Sequence, residues 1–452
     1  MGHNPNSWAA KELQSIDLGD QRLNKRAQTL LERLAAKPTS GFPQACRGWG
    51  ETMAAYRFLS NEQVEWQAIL EPHWQQTRQR MSHHSVVLCL QDTTELDFNG
   101  RGTDGLGPLS YEAQRGMYVH PTYAVTPERI PLGVLDAWMW ARSEKDEHGE
   151  RHDIKESARW IEGYERVAEL AAHLPETRLV YVADREADIA ALMQRAQDLE
   201  TPADWLIRST HDRTLPDGAK LWNTVTEGVP VGDITFTMPA RKGVKARAVR
   251  QRLWVKRMQL PVGRSKRKTI TATCVIAREI GTPKNVKPVE WRLLTNREAR
   301  THEDVVELID WYRARWEIEM LFNIFKQGCR VETLQLETIE RVERALALWL
   351  IVSWRIGYLM RMGRICPDLD AELFFDEDEI RAAYLLNRMK RPERPTINGV
   401  LRLVARCGGF LGRKGDGEPG AKTIWQGLLM IRGAALTLQI LREERDGGAT
   451  CV

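Results

Sequence analysis

The sequence predicts an α/β fold: a sheet-centred catalytic domain with a β-rich insertion, flanked by helical modules at both ends. Three observations lead there. First, SVVLCLQDT and RLVYVAD are apolar, β-branched runs that end in Asp92 and Asp184. Such runs are buried strands carrying an acid at the carboxyl end. Second, the pattern after Asp184 changes to READIAALMQRAQDL, with Ile189, Leu192 and Ala196 at helical spacing. Strand-to-helix junctions are where open α/β sheets place active-site groups. Third, YRARWEIEMLFNIFK sets Tyr312, Arg315, Glu319 and Lys326 three, four and seven residues apart. At about 100° per residue they share a stripe about 60° wide on one helix face, with Glu317 about 160° from Glu319.

The elements follow in order. DLGDQRLNKRAQTLLERLAAK repeats leucine at helical spacing, with Asp17 as a candidate N-cap. A loop, PTSGFPQACRGWG, separates it from helices in ETMAAYRFLSN and NEQVEWQAILEPHWQQTRQRM. A small helical module beside a catalytic domain suits DNA recognition, and simple helical packing explains it equally well. From about Ser82 come SVVLCLQDT, TELDFN, MYVHPTYAVTP and PLGVLDAWMWAR, which alternate as an antiparallel meander would. The helix SARWIEGYERVAELAAHL then leads into the strand ending at Asp184, giving the order of a ribonuclease-H-like domain.

Asp184 and Glu319 are much further apart in sequence than one strand and helix require. ITFTMPA, AVRQRLWVKRMQLP, TITATCVIARE and VEWRLLTNR fill the interval as strands. From Arg241 to Arg278 there are thirteen Lys or Arg residues and no acid. That block is a footprint for polyanions, with a solvated strand face as the alternative. Beyond Arg361, Pro367, Pro392 and Pro395 mark breaks in a helical remainder. The expected organisation is 1–75 helical, 76–370 catalytic with the insertion over about 205–300, and 371–452 helical.

Composition sets bounds. The 452 residues are 42% hydrophobic with net charge +4, enough for more than one simple domain and modest for a DNA binder. Seven scattered cysteines without a Cys-x-x-Cys pair argue for a reducing compartment and against zinc or disulfides. No unbroken run of eighteen apolar residues exists, and the start lacks the blocks of a signal peptide. A cytoplasmic protein without membrane contact is expected.

Taken singly, each acid fits a solvated or salt-bridged role better than catalysis. The constellation is more specific, because three carboxylates from two strand ends and a helix can hold two divalent cations about 3.5 to 4 Å apart. Glu95, Asp97, Glu186 and Asp188 are rival acids, expected instead to orient Arg185 or cap a helix. His83, His84 and His120 lack a His-x3-His pair and are expected at the surface.

QDTT at Gln91–Thr94, DREADI at Asp184–Ile189 and Tyr-x2-Arg-x3-Glu-x6-Lys from Tyr312 to Lys326 together resemble the DDE transposases of bacterial insertion sequences. The match is to the insertion-sequence-four family, which includes the Tn-five-like transposases. It runs from near Gly41, where GFPQACRGWGETMAAYRFL is similar to the family's DNA-binding segment, to about Gly363. The resemblance implies that Asp92, Asp184 and Glu319 bind Mg2+ or Mn2+, two ions, and that Tyr312, Arg315 and Lys326 handle DNA near the cut. It further implies that Trp291, 21 residues before Tyr312, stacks on a flipped base and that Arg208 contacts DNA. Without the resemblance, a strand-core role for Trp291 is an even match. The implied partners are double-stranded inverted-repeat ends, target DNA and a second copy of the chain. A nuclease of the same fold and an inactive DNA-binding repressor are the competing functions.

Overall fold

The computed structural model describes residues 7–99, 102–238, 246–262 and 268–448. Its centre is one mixed sheet of eleven strands: β1 (Val86–Gln91), β2 (Thr94–Asp97), β3 (Gly107–Pro108), β4 (Arg115–Val125), β5 (Pro131–Trp140), β6 (Arg178–Ala183), β7 (Asp204–Arg208), β8 (Gly232–Met238), β9 (Arg247–Pro261), β10 (Thr269–Glu279) and β11 (Glu290–Thr295). The main path runs β2-β4-β1-β6-β7-β11-β10-β9-β8, with β3 and β5 also paired to β4. Only β1–β6 and β6–β7 are parallel pairs; the other pairs are antiparallel. With the helical flanks, this is the expected ribonuclease-H-like α/β architecture.

β1 and β6 are continuous apolar runs because both faces of the sheet are covered. Val87, Cys89, Tyr181 and Ala183 pack with the helices Glu156–His173 and Ala190–Asp198. Their neighbours Leu88, Leu90, Val180 and Val182 face the opposite core, shared with the helices His302–Arg313 and Ile339–Ile365. Residues two apart on a strand share a face, so one apolar run supplies both cores.

The meander is observed as β4–β5, joined with bulges. The insertion strands are not a separate body: β11 pairs with β7 through Leu293 and Arg208, so the insertion extends the catalytic sheet. Of its basic block, Arg241, Lys242, Lys245, Arg264, Lys266 and Arg267 lie outside the described residues. Among those described, Arg250 and Arg252 pair with Asp233 at 2.7 and 3.1 Å, Arg278 pairs with Glu290 at 3.1 Å, and Arg247 pairs with Glu279. Among the described residues, three neighbouring acids thus partner four arginines of the block, which a count within the block misses.

The first long helix spans Gln21–Ala36 and is capped by Asp20, whose side chain accepts from the Arg22 amide; Asp17 closes a turn at Gly19 instead. The helix Trp66–Met81 begins later than expected, after Glu65. Among the described residues, two helices are long and apolar enough to cross a membrane by length and composition, Ile339–Ile365 and Ala421–Arg445. Interspersed arginines hid them from a search for unbroken apolar runs. The first is 89% buried in protein, which makes it a core helix. Six cysteines are free among the described residues, and Cys451 lies outside them.

Candidate active site

Parallel pairing brings the first two acids together. Gln91 of β1 is the register partner of Ala183 of β6, so Asp92 and Asp184 leave adjacent strands at the same level. Asp92 accepts the Thr93 amide at 2.9 Å. Asp184 caps a short 3-10 turn, Arg185–Ala187, by accepting the Glu186 amide at 2.8 Å.

The third acid arrives on a broken helix. One continuous helix was the expectation over Tyr312–Lys326; the chain instead ends His302–Arg313, turns through Ala314 and Arg315, and continues as Trp316–Asn323 and a π-turn Ile324–Gly328. Ala314 and Arg315 keep right-handed helical dihedrals, so Arg315 and Glu319 still share a face as an i,i+4 pair, and the guanidinium also reaches Asp92 on another element. Nη1 donates to Asp92 Oδ2 at 2.5 Å and Nη2 donates to Glu319 Oε1 at 2.6 Å. Glu317 does point away, buried against Arg361 with Nε to Oε2 at 2.8 Å.

Electrostatics confirm the crowding. Burial pushes the Asp92 carboxyl up to about 6; Arg315 opposes this, while Asp184 and Glu319 add to it. Burial also raises Tyr312, whose hydroxyl feels Arg315, Arg208 and Asp184. Thus Asp92, Asp184, Glu319, Tyr312, Arg315 and Arg208 converge. Arg208 ends β7 exposed, with no ion pair among the described residues. Lys326 stands to one side, donating to the Glu95 carbonyl at 2.7 Å and pairing with Glu332 at 3.2 Å. Trp291 lies on β11, half-buried, with its ring stacked on Phe236 at 5.5 Å.

The donor set suits a hard divalent cation: three carboxylates whose mutual repulsion a dication relieves. Among the described residues no three His, Cys, Asp or Glu side chains close on one point, and Arg315 pairs with both Asp92 and Glu319. Three of the four rival acids have other duties. Glu95 accepts from the Ser110 amide and the Tyr118 hydroxyl, and Asp97 from Gln114. Asp188 neither orients Arg185 nor caps a helix; it is buried, pairs with Arg213 at 2.5 Å, and accepts the Thr210 and His211 amides.

One support went unseen in the sequence. His120, expected at the surface, is buried between Trp138 and Trp160, and burial pushes its imidazole down to about 3. It is therefore neutral. Its Nδ1 lies 2.7 Å from the Thr93 hydroxyl and its Nε2 3.3 Å from Gln91 Oε1, and Gln91 Nε2 donates to Thr122 at 2.7 Å. This network fixes the strand end that carries Asp92. The polar QDT after an apolar run was the available signal.

Three family models match the chain. Transposase DNA-binding covers residues 5–64, the Transposase DDE domain 146–355, and the Transposase Tn5 dimerisation domain 351–442. The DDE model spans Asp184 and Glu319 and begins after Asp92. A solved structure titled as the cryo-EM structure of piggyBac transposase synaptic complex with hairpin DNA is 10% identical, covers 98% of this chain and 81% of its own, and superposes with a TM-score of 0.38. That similarity is too low to carry an argument. The three family models, in order along most of the chain, place it among the Tn5-like DDE transposases: it is a divalent-metal-dependent DNA transposase that cleaves transposon ends and joins them to target DNA.

Proposed function

We propose that Asp92, Asp184 and Glu319 are the cation-binding triad of this transposase and that the surrounding cations position DNA. The observation that carries this is the register of β1 and β6, which sets Asp92 beside Asp184, with Glu319 tied to Asp92 through Arg315. When bound, two Mg2+ or Mn2+ ions supply Lewis acidity to the attacking and leaving oxygens of a phosphodiester.

The chain's own residues do the rest. Asp92, Asp184 and Glu319 hold their oxygens at the carboxyl ends of the central strands β1 and β6, with Asp92 and Asp184 oriented by the Thr93 and Glu186 amides. Arg315 offers a planar fork that matches a phosphate, and Arg208 extends positive charge from the end of β7. Tyr312 positions the backbone from a buried hydroxyl that stays protonated. Lys326 offsets phosphate charge from the β2 side, and Trp291 receives the displaced base. Each cleavage and joining step is an in-line attack by a hydroxyl on phosphorus, so one site serves all of them.

The division 1–75 for DNA recognition, 76–370 for catalysis with an insertion over about 205–300, and 371–452 for pairing of two copies belongs to the same reading. The dimerisation family model over 351–442 supports the homodimer. Action on cellular DNA supports the cytoplasmic location that belongs to the same reading.

The test uses purified protein, a duplex carrying the inverted repeat that flanks its gene, and a target plasmid. Mg2+-dependent cleavage at the repeat boundary followed by joining is the expected result. Cleavage without joining overturns it in favour of a nuclease, and binding without cleavage in favour of a repressor.

A further inference from the structure

We infer that Arg315 is an internal counter-ion that competes with divalent cations for Asp92 and Glu319 and yields to a DNA phosphate, so that cation binding is coupled to DNA binding. This rests on the proposed role of those acids as cation ligands. One guanidinium holds both carboxylates, at 2.5 and 2.6 Å, bridging the end of β1 and a helix more than two hundred residues later in the chain. Its side chain is only 14% exposed, so water screens the pairs poorly.

A planar fork can satisfy two acids on different elements at once, which an ammonium cannot do with the same geometry. A cation bound directly to Asp92 Oδ2 and Glu319 Oε1 uses the oxygens that Arg315 already occupies. The two modes exclude each other. Arg315 has a second class of partner, since guanidinium binds phosphate bidentately. Exposed Arg208 at the end of β7 and Tyr312 beside Arg315 mark where a backbone phosphate would arrive. A phosphate there draws the guanidinium off and leaves three crowded carboxylates for the cation. The coupling is reciprocal: if DNA tightens cation binding, the cation tightens DNA binding by the same factor. The acids are thereby kept from cations until DNA is in place.

The test is calorimetric titration of the full chain with Ca2+ alone, with and without the repeat-end duplex. Ca2+ binding to Asp92→Asn on the same DNA is subtracted. In the wild type, DNA tightens Ca2+ binding by about tenfold or more. Arg315→Gln binds Ca2+ without DNA as tightly as the wild type does with it, and gains little from DNA. Arg315→Lys, which keeps the charge and loses the fork, falls between. Equal Ca2+ affinity of wild type and Arg315→Gln without DNA overturns the inference. So does a tight Arg315→Gln beside an Arg315→Lys at the wild-type value, since charge alone then explains the effect. If Asp92→Asn binds Ca2+ like the wild type, the ligand assignment itself fails, and that outcome is distinct from both others.

Discussion

Glu12, His73 and Arg80 form a charge cluster between the helix Trp8–Glu12, the helix Trp66–Met81 and β5, whereas Asp92, Arg315 and Glu319 form one at the carboxyl end of the central strand β1. In the first cluster each carboxylate oxygen has its donor. Glu12 Oε1 accepts from His73 Nδ1 at 2.5 Å and Arg80 Nη2 at 2.9 Å, and Oε2 accepts from Arg80 Nη1 at 3.0 Å. His73 Nε2 accepts the Val134 amide at 3.0 Å, which fixes the proton on Nδ1. With Nε2 accepting, this imidazole is neutral, and burial shifts it in the same direction, so Arg80 is the countercharge. Burial also opposes ionisation of Glu12, but the hydrogen bond from His73 and the ion pair with Arg80 outweigh it and bring the carboxyl down to about 2. At the end of β1 one guanidinium serves two carboxylates with a third alongside, and burial with that crowding lifts Asp92 to about 6. A satisfied carboxylate holds the fold together; a surplus of carboxylates is an opening for cations.

The strongest way to break this contrast is to remove the acids of the second cluster and their neighbour Asp184. Asp92→Ala, Asp184→Ala and Glu319→Ala should each lower cleavage about a thousandfold or more, ~4 kcal/mol in the barrier, while repeat-end binding and the urea midpoint change little. Full cleavage by any one of them removes that residue from the triad. Glu12→Ala should do the converse. Breaking a buried pair costs about 3 to 5 kcal/mol of stability, read by urea unfolding, with cleavage per folded molecule retained.

The same contrast has a pH form. Glu12 is depressed in the folded state, so its contribution is fully present above its ordinary value of 4.5 and is lost as pH falls towards 2. Unfolding free energy should drop by roughly 3 kcal/mol over that window, and Glu12→Gln should flatten the drop. An unchanged acid limb in Glu12→Gln places the titration elsewhere.

Trp291 sharpens the comparison at a finer level. Trp291→Ala should cost about 1 to 3 kcal/mol in end cleavage if the ring stacks on a base. Phe236→Ala, which strips away its stacked neighbour, should cost less; an equal loss from both reduces Trp291 to packing. The smallest effect belongs to single cations. Arg208→Ala should lower the salt slope of DNA binding by about one, and Arg250→Ala, already paired with Asp233, should leave it unchanged.

The sequence by itself determined the strand ends, the acids on them and the order of elements, because these are local. An apolar run that stops at an acid marks a strand end without reference to anything distant, and the side-chain pattern of β1 and β6 says that both faces are covered. The three motifs also carried the family. The tertiary structure alone decided what depends on partners far along the chain. A stripe drawn on one helix foresaw that Arg315 and Glu319 share a face, but not that Asp92, 223 positions away, meets the same guanidinium. His120 looked like a surface residue until Trp138 and Trp160 enclosed it, and the basic insertion looked unneutralised until Asp233, Glu279 and Glu290 met it across the sheet. Charge is felt through space and not along the chain, so pairing, burial and protonation become legible only once the fold has brought the groups together.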